Sequence, residues 1–368
     1  MVARAHAGRC GCISPPIAAG AAKRAALKIS VVIPCLNAAA TIARCLEGLA
    51  RQTRPPDEVI VADNGSQDDT LAILRAWRER GVLPLRIVHA PRRGAAAARN
   101  VGAAAACGDW LAFTDSDCVP EPEWLAAGGA AIARADPAAL AGPAWGAWEG
   151  DAAAKLMGIT SLALAGGERW LTDAGPTGTD GVPAANLWVR RDVFEALGGF
   201  DETLHPAGED LDFCARLYAA GHRILYAPSV RVRHLHASGV RALWRKMAQY
   251  GRAHAALFAR YGRPGIYLDL PGRGRWCLPV RVRVWCNFAS AEKKFLALLA
   301  LGLAWPPLLV SVPLYLAWIA HFLRARAHML GHALDWGEAM WMAMLLIVKS
   351  AALSWGRMRS SERGIWTC

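Results

Sequence analysis

Asp115-Ser116-Asp117 sits between an apolar run, Trp110 to Phe113, and a Pro-rich turn, within the stretch GDWLAFTDSDCVPEPEW from Gly108 to Trp124. Two carboxylates one residue apart at the end of a buried strand lose hydration and repel each other unless a positive charge lies between them. The triplet fits a hard divalent cation held through oxygen, with the remaining positions open to diphosphate and water. Asp63 closes a second apolar run, and its carboxylate can accept a hydrogen bond from the imide N–H of a base. The amides of Asn64, Gly65 and Ser66 are then within reach of phosphate or ribose. The same residues also suit an Asx turn that merely ends a strand. Arg99 can pair with a diphosphate or neutralise Asp115. Glu209-Asp210 precedes a helical pattern, where carboxylates serve as caps. A carboxylate held there with one oxygen exposed can also act as a general base toward a hydroxyl.

The elements that carry these residues follow from periodicity. KISVVIPCLN, residues 28 to 37, is a β-branched apolar run ended by Pro34 and Asn37, as expected of a strand buried on both faces. A helix begins at Thr41, with Ile42, Cys45, Leu46 and Leu49 at helical spacing. A strand from Glu58 to Ala62 stops at Asp63-Asn64-Gly65-Ser66, and Asp69-Thr70 open the next helix as cap and first turn. Leu85 to His89 is a strand, Gly94 starts an Ala-rich helix containing Arg99, and Trp110 to Phe113 is a strand again. This alternation predicts a doubly wound α/β layer whose polar groups gather at the carboxyl ends of the strands. Gly166-Gly167 and Gly175 to Gly181 read as loops, and Ala184 to Val189 as a strand returning to the sheet. Leu211 to Ala220 is a helix on which Asp212 is either a surface group or one that supports the site from behind, and Tyr226 to His234 is one strand.

Five segments, in this order, carry a resemblance: VVIPCLN, VADNGSQDDT, GAAAARNVG, FTDSD and GGFDE…GEDLDFCARLYAAG…APSVRVRH. Together they resemble the family 2 glycosyltransferases with a GT-A fold, over residues 29 to 236. The resemblance implies a Rossmann-like mixed sheet and an inverting transfer of a sugar from a nucleotide-sugar donor, UDP-linked by expectation, to a hydroxyl acceptor. It assigns Pro34, Asn37, Asp63, Asn64, Gly65, Arg99, Asp115 and Ser116 to the donor. It makes Asp117 the direct ligand of a manganese or magnesium ion, with Asp115 nearer the ribose and His234 able to complete the site. Asp210, beside Glu209, becomes the base. An acidic residue common after the Asn of the first segment is replaced here by Ala38, which leaves the donor contact at that strand to the main chain.

The formal charge of +12 is local: Arg231 to Lys294 holds fourteen Lys and Arg against Asp269 and Glu292. Val240, Leu243, Trp244, Met247, Gly251, His254, Phe258 and Tyr261 recur at helical spacing with Arg241, Arg245, Arg252 and Arg260 mostly elsewhere, as in an interfacial amphipathic helix drawn to anionic headgroups or in a helix packed on the domain with a solvated basic face. Phe295 to Leu323 has no Asp, Glu, Lys or Arg over 29 residues, enough to cross a hydrocarbon core of about 30 Å. Pro306, Pro307 and Pro313 must kink it or make it re-entrant. Ala339 to Trp355 is a second apolar run, interrupted by Lys349. Flanking basic residues suit a transmembrane hairpin with both ends cytoplasmic, at a cell inner membrane. The divisions expected are a flexible tail at 1–27, the catalytic domain at 28–236, a basic interfacial region at 237–294, transmembrane helices at 295–355 and a tail at 356–368. The ten cysteines show no C-x-x-C pair, which favours reduced thiols in a cytosolic compartment.

A membrane places the acceptor on a lipid or a growing surface glycan. The rival class is a catalytically silent membrane-bound module that binds nucleotide sugars, although Asp63, Asp115, Asp117, Glu209 and Asp210 are all retained. A nucleotidyltransferase would show a Gly-rich loop with Arg and Lys after the first strand, which Asn37 to Thr41 lacks. Nucleic-acid binding would need a basic groove with stacking aromatics, and apolar runs beside the basic stretch favour headgroups instead.

Overall fold

The computed structural model describes residues 27–160, 166–360 and 365–367. The flexible tail expected at 1–27 lies, except for Leu27, outside the described residues. The first half alternates as the periodicity predicts: β1 (Ile29–Cys35), α1 (Ile42–Ala50), β2 (Glu58–Asp63), α2 (Thr70–Arg80), β3 (Leu85–His89), α3 (Ala95–Ala105) and β4 (Trp110–Thr114). Then come β5 (Cys118–Pro120), α4 (Trp124–Ala135), β6 (Ala139–Ala141), β7 (Ala144–Gly146), α5 (Ala152–Thr160), β8 (Arg169–Leu171), β9 (Asn186–Arg190) and α6 (Arg191–Ala196). The remaining catalytic elements are α7 (Glu209–Ala219), β10 (Ile224–Tyr226) and β11 (Val232–His234).

The main sheet has the order β3-β2-β1-β4-β9-β6-β10-β8. Strands β1 to β4 are parallel to their neighbours, while β9 runs antiparallel between β4 and β6. Alternate residues of the central strands feed two cores. Val31, Ile33, Val59 and Val61 pack with α1 and α2, whereas Val32, Ile60, Leu111 and Phe113 face the opposite layer. That two-sided burial is why these strands are apolar throughout. A buried polar knot joins the halves: Asn186 accepts from the Trp124 indole at 2.9 Å and donates to the carbonyls of Pro143 and Val230 at 3.1 and 2.7 Å.

Tyr226 to His234 is not one strand. β10 lies in the main sheet, whereas β11 joins β5 and β7 in a separate three-stranded sheet, because the chain turns between them with Val230 N bonded to Ala227 O at 3.1 Å. That turn carries His234 from the sheet to the end of β4, where Leu235 N reaches Asp117 O at 2.7 Å.

The C-terminal third comprises α8 (Val240–Tyr261), β12 (Gly265–Leu270), β13 (Gly274–Leu278), β14 (Arg283–Asn287), α9 (Ala291–Ala304), a 3-10 turn (Pro306–Val310), α10 (Ser311–Met329), α11 (Trp336–Met358) and β15 (Ile365–Thr367). The basic stretch is thus half helix and half sheet, and the expected C-terminal tail supplies a strand that pairs with β14. The long apolar run breaks at Trp305-Pro306, since proline lacks the amide that would continue the helix. Two helical segments, Pro306–Met329 and Trp336–Met358, are long and apolar enough to cross a membrane.

α8 and α11 meet backbone to backbone. A Cβ added at Gly356 would lie 2.1 Å from Ala248 O, and one at Gly251 would lie 2.1 Å from Leu353 O. Only glycine permits that approach, so Gly356→Ala must push the helices apart. We expect a loss of about 1–3 kcal/mol in urea-unfolding stability, and wild-type stability would show that the helices are not in this register.

Candidate active site

Asn37 takes a left-handed conformation, φ 50°, that turns the chain after β1. Its side-chain oxygen accepts from Gln67 N at 2.8 Å, and its own amide donates to Ser66 Oγ at 2.9 Å. Ala38 N donates to Thr70 Oγ1 at 2.8 Å and Ala39 N to Asp68 at 3.1 Å. The loops after β1 and β2 are therefore sewn together into one rim. Asp68, rather than Asp69, bonds the start of α2: it accepts from the Thr70 amide at 3.1 Å, and Asp69 makes no side-chain cap bond.

Asp63 is buried, and its carboxylate accepts from Gly65 N at 3.1 Å and Ser66 N at 3.3 Å. It thus forms the Asx turn. Asn64 turns away from the rim, donating to the carbonyls of Ala90 and Arg92 at 2.9 and 2.6 Å and accepting from Gly94 N at 2.8 Å. In this way it fixes the start of α3, the helix that presents Arg99. Pro34 lies opposite Ala62 in the β1–β2 register, just before the rim.

Arg99 is only 5% exposed. Its guanidinium donates to Asp115 on one side and to Glu209 on the other, both at 2.6 Å, and lies 5.7 Å from the centre of the Phe200 ring. Burial works against its charge, but Asp115 and then Glu209 more than offset this and raise its pKa. For Asp115, burial likewise opposes ionisation, and Arg99 followed by His234 outweighs it and holds the carboxyl below its usual range. Of the two roles the sequence left open for Arg99, pairing with the aspartate triplet is realised.

Asp115, Asp117, Cys118 and His234 bring their ligating atoms within 4.8 Å of one another. His234 Nε2 stands 3.7 Å from Asp117, and its buried Nδ1 has no hydrogen-bond partner among the described residues. His236 stacks on His234 with ring centres 4.3 Å apart. Burial first, then His234, pushes the His236 pKa down to about 2, so its ring is neutral. Two carboxylates and a neutral imidazole suit a hard or borderline divalent cation, and the unpartnered His234 nitrogen fits such a group. Cys118 adds a thiol whose pKa is driven well above its ordinary value by burial and by Asp117 and Asp115. Ser116 is half-buried between the two aspartates.

Asp210 stands at the start of α7, half-buried, accepting from Ala184 N at 3.3 Å and Leu211 N at 2.9 Å. Burial, followed by the adjacent Glu209, pushes its pKa up to about 7. Asp212 is fully buried and not on the helix surface: Arg216 at 2.8 Å, Arg260 at 2.9 Å and the Tyr261 hydroxyl at 2.5 Å hold it. Arg216 lies one turn along α7 at i+4, whereas Arg260 and the hydrogen-bonding Tyr261 come from α8, contacts that sequence spacing does not reveal.

A cavity of about 560 Å³ is walled by Arg99, Asp115, Asp210 and His234 on the sheet side. Its opposite wall is α8, through Arg245, Lys246, Tyr250 and His254. Asp63 and Asp117 lie outside this lining, toward the rim, while Gly181 and Pro183 of the Gly-rich loop close the cavity near Asp210. Burial works against the Lys246 ammonium, yet Tyr250, Asp117 and Asp115 together raise its pKa. Sequence reading missed Lys246, Tyr250 and His254 as site residues. Their i, i+4, i+8 spacing was the available signal, and the basic character of the helix had directed it to lipid.

A mixed sheet with an acidic pair at the end of its fourth strand and a half-buried carboxylate across a cavity is the GT-A architecture of nucleotide-sugar transferases. Residues 30–198 are a family 2 glycosyltransferase domain, matching the profile described as "Glycosyl transferase family 2". The chain is 33% identical over 239 residues to the "Pre-mycofactocin glycosyltransferase" of Mycobacterium tuberculosis, covering 63% of this chain and 48% of that protein. It is 32% identical over 206 residues to "Glycosyltransferase AglE" of Haloferax volcanii, covering 55% and 65%. It thus spans from half to somewhat under two thirds of the length of these relatives. Among solved structures, the mannosyltransferase PcManGT of Pyrobaculum calidifontis, in complex with GDP-Man and Mn2+, superposes with a TM-score of 0.50 at 22% identity, over 89% of this chain and 87% of that one. Coverage of that extent takes in C-terminal elements as well as the GT-A layer.

Removing the Arg99 guanidinium leaves Asp115 and Glu209 without their partner. We expect Arg99→Ala to lose about 3–5 kcal/mol, read as a lowered denaturation midpoint at pH 8. A midpoint equal to wild type would show that the two carboxylates do not depend on Arg99.

Proposed function

We propose that the chain is a metal-dependent, inverting glycosyltransferase that moves a sugar from a nucleotide-sugar donor to a hydroxyl acceptor. The observation that carries this reading is the different state of two neighbouring carboxylates. Both line the cavity, but Glu209 is tied to Arg99, whereas Asp210 has only backbone amides for partners and a pKa of about 7. A direct displacement needs one base on the acceptor side and charge stabilisation on the leaving-group side. Asp210 supplies the base: it takes the acceptor proton as the hydroxyl oxygen bonds to the anomeric carbon and the bond to the nucleoside diphosphate breaks. Burial, followed by the negative charge of Glu209 and only partly offset by Arg99, keeps Asp210 protonated until near neutral pH.

Asp117, Asp115 and His234 would hold a divalent ion, manganese or magnesium, which when bound supplies Lewis-acid stabilisation of the departing diphosphate. Asp63 is the base-reading group of this proposal. A carboxylate there accepts from the N3–H of uracil or thymine or the N1–H of guanine, and cytosine and adenine offer no such N–H. We place UDP-linked sugars first among these donors, with dTDP- and GDP-linked sugars next, and assign Pro34, Asn37, Asn64, Gly65, Arg99 and Ser116 to shaping that donor side. Lys246 and Arg245 make the acceptor wall cationic, which supports an acceptor carried on a phosphorylated lipid or an anionic glycan at a membrane, the cytoplasmic face of the cell inner membrane being our placement.

Asp117→Ala and Asp210→Asn should each lower transfer by about 10²-fold or more, measured with purified enzyme and a panel of UDP-, GDP-, dTDP- and CMP-sugars with and without manganese. Full activity in both variants would end the assignment. Because the base must be ionised, wild-type kcat/KM should rise with pH through about 7, and this rise should be absent from the residual activity of Asp210→Asn. The same raised pKa has a stability consequence. Between the ordinary carboxyl value and about 7, the unfolded chain ionises at Asp210 while the folded one does not, so stability falls as pH rises. Asp210→Asn should unfold later than wild type above pH 7 and match it below pH 4, and an advantage confined to acid would contradict the shift.

A further inference from the structure

The apolar C-terminal helices are bonded to the catalytic layer along their length. At the start of α11, Glu338 pairs with Lys155 of α5 at 2.7 Å. In its middle, Lys349 donates to Thr160, the last residue of α5. At its end, Arg357 reaches His254 of α8 at 3.2 Å, beside the close approaches of Gly251 and Gly356. Arg326 of α10 donates to the Ile159 carbonyl, again on α5. From Glu338 to Arg357 the helix runs about 28 Å, close to the thickness of a hydrocarbon core, about 30 Å.

A helix that crossed a bilayer over that length would draw its partners in with it. α5 sits between β7 and β8, and α8 walls the cavity and exposes Arg241, Arg245 and Arg252. Each arginine placed at the bilayer centre costs about 2.5–3.5 kcal/mol or more. The helices present one buried and one exposed apolar side, which apolar composition does not tell apart. Ile319, Ala320, Leu323, Met342, Ala343 and Leu345 are buried against α5 and α8. Leu314, Trp318, Phe322 and Met329 form an exposed stripe on α10, and Trp341, Met344, Trp355 and Met358 form one on α11. With Trp305 and Trp336, five exposed indoles lie on this surface. Tryptophan favours the headgroup level. Arg324 lies 4.4 Å from the centre of the Trp336 ring and Arg359 lies 5.1 Å from that of Trp355, so positive charge rims the apolar face where anionic headgroups would stand.

We infer that α10 and α11 lie in the plane of the membrane, their outer stripes in one leaflet, and hold the catalytic cavity against an anionic lipid surface without crossing it. This refines the membrane part of the proposed function and replaces the transmembrane hairpin that apolar length alone predicted. Because the inference concerns topology, loss of the proposed activity would leave it standing, and the reverse also holds.

The test uses the full chain in inverted membrane vesicles, where the catalytic layer faces out and the exposed native Cys107 reports that side. Ala333→Cys places a thiol in the exposed turn between α10 and α11. A membrane-impermeant maleimide should label it, over the parent chain, as fully as Cys107. Protection of Ala333→Cys until detergent is added, with Cys107 reactive throughout, would establish a crossing hairpin and overturn the inference. In parallel, purified protein should float with preformed phosphatidylcholine–phosphatidylglycerol vesicles, and shallow brominated lipids should quench its tryptophans more than deep ones. Leu314→Glu with Trp318→Glu should weaken vesicle partitioning about tenfold or more, with an unchanged circular dichroism spectrum. Failure of the folded wild type to bind vesicles, together with a dimer that these substitutions dissolve, would assign the face to a second copy of the chain and also overturn the inference.

Discussion

The buried guanidinium of Arg99 is the constraint on which the site depends. It lies between the carboxylate that ends β4 and the one that begins α7, and neither could stay charged in that interior alone. By satisfying both, Arg99 fixes the distance between the two halves of the GT-A layer. The proposed donor side, with Asp115 and Asp117, and the proposed acceptor side, with Asp210, are thereby held in register by one side chain. The neighbours reinforce it: Asn64 anchors the start of α3, and Asn100, next in sequence, donates to the Phe200 carbonyl at 2.9 Å and so secures the loop before α7.

The pairing also explains how adjacent acids come to different states. Glu209 points to Arg99 and is neutralised by it, while Asp210 points into a cavity with only backbone amides for partners. Burial and the charge next door then keep its proton on until near neutral pH. The proposed base and the charge that raises its pKa are thus supplied by two consecutive residues, separated by the direction each side chain takes from the first turn of a helix. α8 completes the enclosure. Its Lys246 answers the carboxylates across the cavity, and its Arg260 and Tyr261 hold Asp212 under α7, so the wall and the catalytic helix are one unit.

The exposed apolar face of α10 and α11 follows from the same packing. α5 and α8 each offer one side to the sheet layer and the other to α10 and α11, and those helices in turn leave a broad apolar side outward. Apolar composition alone does not distinguish a helix surrounded by lipid from one packed on protein along one side. The ion pair and hydrogen bonds spaced along α11 show that one side of it is packed on protein.

The sequence by itself determined the alternating layer, because strands buried on both faces and helices apolar on one face leave unmistakable periods. It also determined the residues ending β2 and β4 and beginning α7, since their types and order leave few chemistries. What only the tertiary structure decided was which of these groups face each other. Arg99 and Glu209 are 110 residues apart. His234 reaches Asp117 only because the chain turns between β10 and β11 into a second sheet. Lys246 and Tyr250 read as part of a lipid-facing helix until α11 covered one side of that helix and turned another toward the cavity. Local spacing records which face of an element is apolar, but the identity of what covers that face is a long-range property, set by close approaches such as Gly251 and Gly356.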